Sequence, residues 1–97
     1  PLGEASRHLL DDAGLAWDLG RAAIAMGDVP LAREAFERAV TAAPESYDAW
    51  LGVADTRSRL GDAAGAQAAL QRAEGLPGAS DGRAAALRAR IAQRLKP

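Results

Sequence analysis

An internal repeat restricts this 97-residue chain more than any other feature of it. Displaced against itself by thirty-four positions, the sequence brings Gly27-Asp28 onto Gly61-Asp62, Ala32 onto Ala66, Ala35 onto Ala69, Arg38-Ala39 onto Arg72-Ala73 and Ser46 onto Ser80. Phe36 falls on Leu70, and Leu19-Gly20 on Val53-Ala54. In a chain with 25 alanines some alanine matches are chance, but the doubled Gly-Asp pair and the large apolar match are not so cheaply explained. A unit recurring at this period is one supersecondary element that buries its apolar face only against its neighbours.

Composition decides what that element is. The apolar residues are mostly alanine, with three Val, two Ile, one Phe, one Tyr and two Trp. Alanine favours helix and lets helices approach closely, whereas sheets want β-branched and aromatic side chains. The fold is therefore expected to be all-α. In the first unit, Gly14 to Met26 carries Leu15, Leu19, Ala22, Ala23 and Met26 at helical spacing. Gly27 can close that helix in the left-handed conformation, Asp28 can cap the next, and Pro30 suits a first turn. The second helix, about Val29 to Ala43, sets Ala32, Ala35, Phe36, Ala39 and Val40 on one stripe and ends at Pro44. Ser46 can cap the helix after it.

The second unit repeats the plan with Tyr47 to Leu60, the Gly61-Asp62 turn, and a helix from Ala63 to about Glu74. Gly75, Pro77, Gly78 and Gly82 then make a longer joint. Ser80 or Asp81 can begin a last helix whose apolar stripe is Ala84, Leu87, Ile91 and Leu95, placed to cover the open end of the stack. Glu4 to Asp12 reads as a short helix or an extension of the next. The resulting division is 1–12 as a leading segment, 13–46 and 47–80 as repeats, and 81–97 as a capping helix or partial third repeat. Pro1-Leu2-Gly3 resembles the remnant left by a tag-removing protease and takes no part in the functional argument.

Charge narrows the choice of partner. Residues 1 to 80 carry seven basic and twelve acidic side chains, and residues 81 to 97 carry five basic and one acidic. A basic face over the main body, the usual footprint of nucleic-acid binding, is missing, so no nucleic-acid partner is expected. Membrane insertion is not expected either, because no apolar run approaches the ~20 residues of a spanning helix. Without cysteine, the sequence fits a reducing cytoplasm and other compartments alike. The abundance of Ala, Arg and Gly suggests a GC-rich bacterial source.

Catalytic candidates are few. His8 is the one imidazole, and with Asp11 or Asp12 it lacks the spacing of a zinc site. Ser6, His8 and Asp11 do not share a helix face as a triad would need. No cofactor motif is found, and the chain is expected to be neither an enzyme nor a cofactor carrier. Asp28 and Asp62 read as caps, Glu34, Glu37 and Arg38 as a solvated face, and the cluster Arg83, Arg88, Arg90, Arg94 and Lys96 as either a solvating end or a docking site for an acidic partner.

Leu19-Gly20, Gly27-Asp28, Ala32, Phe36, Ala39 and Pro44 together resemble the tetratricopeptide repeat, and Trp50, Gly61, Ala66, Leu70 and Ala73 resemble a second copy. Two departures stand out: Trp17 follows the family's usual large site, here Ala16, and Gly78 stands where proline is usual. The resemblance implies a short right-handed superhelical solenoid of antiparallel helix pairs that binds a protein or peptide in a groove lined by first helices. The lining it implies is Trp17, Arg21 and Ile24 in the first unit and Asp48, Leu51, Asp55, Ser58 and Arg59 in the second. Trp17 can instead pack on Leu9 or Leu10, and Trp50 is expected in the core. A carboxylate clamp for chaperone tails is disfavoured, since the chain has no Asn and its one Lys is Lys96. Two units are close to the minimum for a stable array, so self-association and excision from a longer protein are alternatives, as is a docking segment of a larger enzyme.

Overall fold

In the computed structural model, residues 2–77 and 82–94 are described, with side chains from residue 13 onward. Five helices occupy them: α1 (Leu2–Met26), α2 (Val29–Ala42), α3 (Tyr47–Arg59), α4 (Ala63–Glu74) and α5 (Arg83–Arg94). The leading segment is thus a continuation of α1. The proposed start of the last helix at Ser80 or Asp81, the Gly78 departure, Leu95 and Lys96 lie outside the described residues, as do the side chains of Ser6, His8, Leu9, Leu10, Asp11 and Asp12.

The two Gly-Asp turns are built alike. Gly27 and Gly61 adopt φ of 82° and 85°, the left-handed region where a side chain would be strained. Just beyond each, the Asp N–H reaches back across the turn: Asp28 donates to the Ala23 carbonyl at 2.8 Å and Asp62 to the Arg57 carbonyl at 2.9 Å. Both carboxylates then cap the next helix, Asp28 accepting from the Leu31 N–H at 3.2 Å and Asp62 from the Gly65 N–H at 2.9 Å. Ser46 caps α3 in the same way through the Ala49 N–H. Stopping one helix and starting the next within two residues folds each pair into an antiparallel hairpin.

Packing follows the repeat. α1 pairs with α2 and α3 with α4, α2 joins the two pairs by packing on α3, and α5 closes against α3 and α4. The core is largely alanine, with Phe36 its one aromatic ring from a second helix, 4% exposed. Glycine at two positions makes room for that ring. A Cβ on Gly20 would lie 2.7 Å from Phe36 ring carbons, and one on Gly52 would lie 2.5 Å from them. Phe36 therefore sits in a slot cut from both α1 and α3, and it couples the two units.

The apolar stripe of α1 divides in burial, with Ala23 inside and its larger members outside. Leu15, Leu19 and Met26 are exposed, and the residues that pack inward are Ala16, Gly20 and Ala23. The smaller residues face inward because they let α1 lie close to α2. The large residues fall about a quarter turn around α1 from that packed side, where no described helix covers them.

Charge also ties the array together. Glu37 is not a solvated residue with only local contacts: it pairs with Arg33 and, across helices, with Arg57 at 3.2 Å. Arg57 in turn donates to the Gly65 carbonyl at 3.2 Å, so α2, α3 and α4 meet at one guanidinium. Trp50 is half-buried rather than enclosed, and its indole N–H donates to the Pro44 carbonyl at 2.8 Å.

Candidate functional site

Three helices present their faces to one groove of about 340 Å³. α1 contributes Trp17, Arg21 and Ile24; α3 contributes Asp48, Leu51, Gly52 and Asp55; α5 contributes Arg83, Ala86, Leu87 and Arg90, and Phe36 lies at the floor. In each helix the lining residues recur at three or four and then seven positions, the spacing of one helical face. α3 is the middle wall, since it packs against both α1 and α5.

Six of the eight residues assigned to the lining from the sequence meet here: Trp17, Arg21, Ile24, Asp48, Leu51 and Asp55. Ser58 and Arg59 do not. Ser58 is 2% exposed, its hydroxyl donates to the Asp55 carbonyl and accepts from Arg94, so α5 covers it. Arg59 is exposed outside the groove and holds Asp55 at 3.1 Å. Trp17 is partly buried and reaches both the core and the groove, and the Arg21 guanidinium lies 4.8 Å from its ring centroid.

The fifth helix supplies four lining residues that the repeat alignment missed. They fall thirty-five, not thirty-four, positions after their counterparts in α3: Asp48 to Arg83, Leu51 to Ala86, Gly52 to Leu87 and Asp55 to Arg90. The longer joint after Glu74 displaced the register by one and hid them. Tyr47 was also missed. It is buried, its hydroxyl accepts the Ala84 N–H at 2.9 Å, and the Arg83 guanidinium lies 5.0 Å from its ring centroid. An otherwise unpaired first-turn N–H of α5 is thereby satisfied and the helix fixed at the groove's end.

The basic cluster mostly serves to fasten α5. Arg83 approaches Asp48 at 2.6 Å, an ionic contact without hydrogen-bond alignment at Asp48 Oδ1. Arg88 pairs with Glu74, and Arg94 reaches Asp55 at 3.4 Å and the Ser58 hydroxyl. The opposite charges of body and tail are thus matched within the molecule. These are exposed or half-exposed pairs, each worth roughly 0–1 kcal/mol, so they orient α5 while Ala84, Leu87 and Ile91 hold it by burial.

Tandem antiparallel helix pairs, a left-handed glycine in each internal turn and a face shared by first helices define a helical-repeat protein. A tetratricopeptide-repeat family model matches residues 18–80, and the chain belongs to the tetratricopeptide-repeat family. Comparisons with curated proteins and with solved structures gave no match. Repeats of this family generally mediate protein–protein interaction and are typically non-catalytic. Among the described residues, no group of three or more His, Asp and Glu side chains is placed to hold a metal ion, and no helix is long and apolar enough to cross a membrane.

Proposed function

We propose that the chain is a non-catalytic scaffold that binds a peptide or partner helix, rather than nucleic acid or a membrane, in the groove shared by α1, α3 and α5. In this reading 13–46 and 47–80 are the repeats, and α5 supplies the first helix of a partial third unit. The observation that carries it is the shared face: apolar Trp17, Ile24, Leu51 and Leu87 flanked by charged side chains, on three helices of one stack. Apolar anchors surrounded by charge are what a bound segment needs for affinity and register. The test is selection from a displayed peptide library on the purified protein and on Leu51→Lys, with circular dichroism confirming that the variant is folded. Peptides should be enriched on the first and lost on the second. Failure to enrich any peptide, or equal enrichment on both proteins, would remove the reading.

A second reading, association with another copy through α1, is favoured by one observation. Leu15, Leu19, Ala22 and Met26 form an exposed apolar stripe at alternating four- and three-residue steps, the seam of a helix pair. Sedimentation over a range of concentrations checks it: a dimer abolished by Leu15→Glu with Leu19→Glu would support it, and a monomer throughout would dismiss it.

A further inference from the structure

The groove's acids and bases are not equally engaged. Asp48 is paired with Arg83, and Asp55 with both Arg59 and Arg94, so neither carboxylate is left as a free charge. Arg21 and Arg90 differ. Among the described residues, Arg21 is exposed and held only against the Trp17 ring, and Arg90 is exposed with no ion pair or hydrogen bond. They occupy one position of the repeat: Arg21 aligns with Asp55 at thirty-four residues, and Arg90 lies thirty-five beyond Asp55. Across the three helices that position reads Arg, Asp, Arg. Because the central Asp is occupied by arginines from outside the groove, the uncommitted charge facing a ligand is positive on both flanks.

Resting on the groove as the binding site, we propose that the ligand is a protein segment bearing acidic side chains on both sides of a large apolar residue. The apolar residue packs on Ile24, Leu51 and Leu87, and the carboxylates meet Arg21 and Arg90. Two cations on helices that flank α3 call for two anionic groups, which a chain-terminal carboxylate by itself does not supply. Trp17 adds direction. With a guanidinium against its ring, it keeps Arg21 in place, so less side-chain entropy is lost when a carboxylate arrives. Arginine also suits this role because its planar fork binds carboxylate through two parallel hydrogen bonds.

The experiment compares peptides selected by the native protein with those selected by Arg21→Glu/Arg90→Glu, both substitutions being at exposed positions. Two libraries are used, one displaying internal segments and one displaying free C-termini. Internal segments with Asp or Glu flanking a Leu, Ile, Phe or Trp should be enriched on the native protein, and Lys or Arg should replace the acids on the variant. The best native peptide, measured by fluorescence anisotropy, should bind the variant at least about tenfold more weakly. Its Asp→Asn and Glu→Gln form should weaken comparably on the native protein, and added salt should weaken the native complex. Enriched peptides without acidic preference, or variant binding within about twofold of native, would overturn this inference while leaving the groove reading intact. Enrichment confined to free C-termini would overturn the assignment to side chains. Failure to select any peptide would overturn the groove reading and this inference together.

Discussion

The outer faces of α1 and α3 carry matching positions with opposite fates. Leu15, Leu19 and Ala22 align with Ala49, Val53 and Thr56, yet Leu15 and Leu19 are 66% and 43% exposed while all three α3 residues are essentially enclosed. The exposed pair is the more hydrophobic. Burial in such a stack is therefore decided by whether a neighbouring second helix exists, and α2 provides one for α3. Even a threonine is accommodated there, since the Thr56 hydroxyl donates to the Gly52 and Val53 carbonyls of its own helix at 3.1 Å. The same contrast explains why the aromatic ring of α2 matters to both units: Phe36 is the side chain through which the covered face of α3 and the inward face of α1 are joined.

The largest effect should come from breaking that junction. Phe36→Ala removes the ring from between Gly20 and Gly52 and should cost ~3–5 kcal/mol, a large part of the ~5–15 kcal/mol that holds a domain folded. Thermal and urea melts followed by circular dichroism should show a nearly unfolded protein at 37 °C; a melting temperature within a few degrees of the native one would show that the units are joined otherwise. A smaller loss, roughly 1.5–3 kcal/mol, should result from Val53→Ala, which deletes two fully enclosed methyl groups and leaves a cavity. At the matching position, Leu19→Ala should change stability by no more than ~0.5 kcal/mol, because exposed leucine loses little and alanine favours helix. Urea melts of these two variants at one protein concentration give the sharpest comparison. Equal losses would mean that something covers α1 in solution, and a concentration-dependent loss at Leu19 would identify the cover as a second copy.

Much of the fold was legible because its signals are local. Gly27-Asp28 and Gly61-Asp62 announce a left-handed stop and a capped start whatever the surroundings, and both turns have that geometry. The stripe of Ala32, Ala35, Phe36 and Ala39 is buried as its spacing predicts. In α1 the stripe read from spacing divides: Ala23 is buried, while Leu15, Leu19, Ala22 and Met26 are exposed. Periodicity shows that an apolar stripe exists, but not which of its members a partner helix covers, and here Ala16, Gly20 and Ala23 form the packed side. Gly52 went unnoticed for a related reason: its role is to be absent where Phe36 must pass, which only the partner helix makes visible.

The candidate groove was half legible. A face on the first helix of each of the two units, α1 and α3, can be read from the repeat, and six of its residues meet in the structure. The third wall could not, because the irregular joint between α4 and α5 moved the register by one residue and the cluster of arginines gave no sign of which would find partners. Glu37 illustrates the same limit, since its bond to Arg57 spans twenty residues of sequence.

The order of residues by itself determined an all-helical chain, the turns between the paired helices and the repeat that stacks them, for these depend on backbone preference and short-range hydrogen bonding. Tertiary structure decided which apolar stripe was covered, which arginines were consumed in fastening α5, and which two were left facing the groove. Those outcomes depend on what each side chain meets from another helix, and a charge or a methyl group acquires its energetic meaning only when that neighbour is in place.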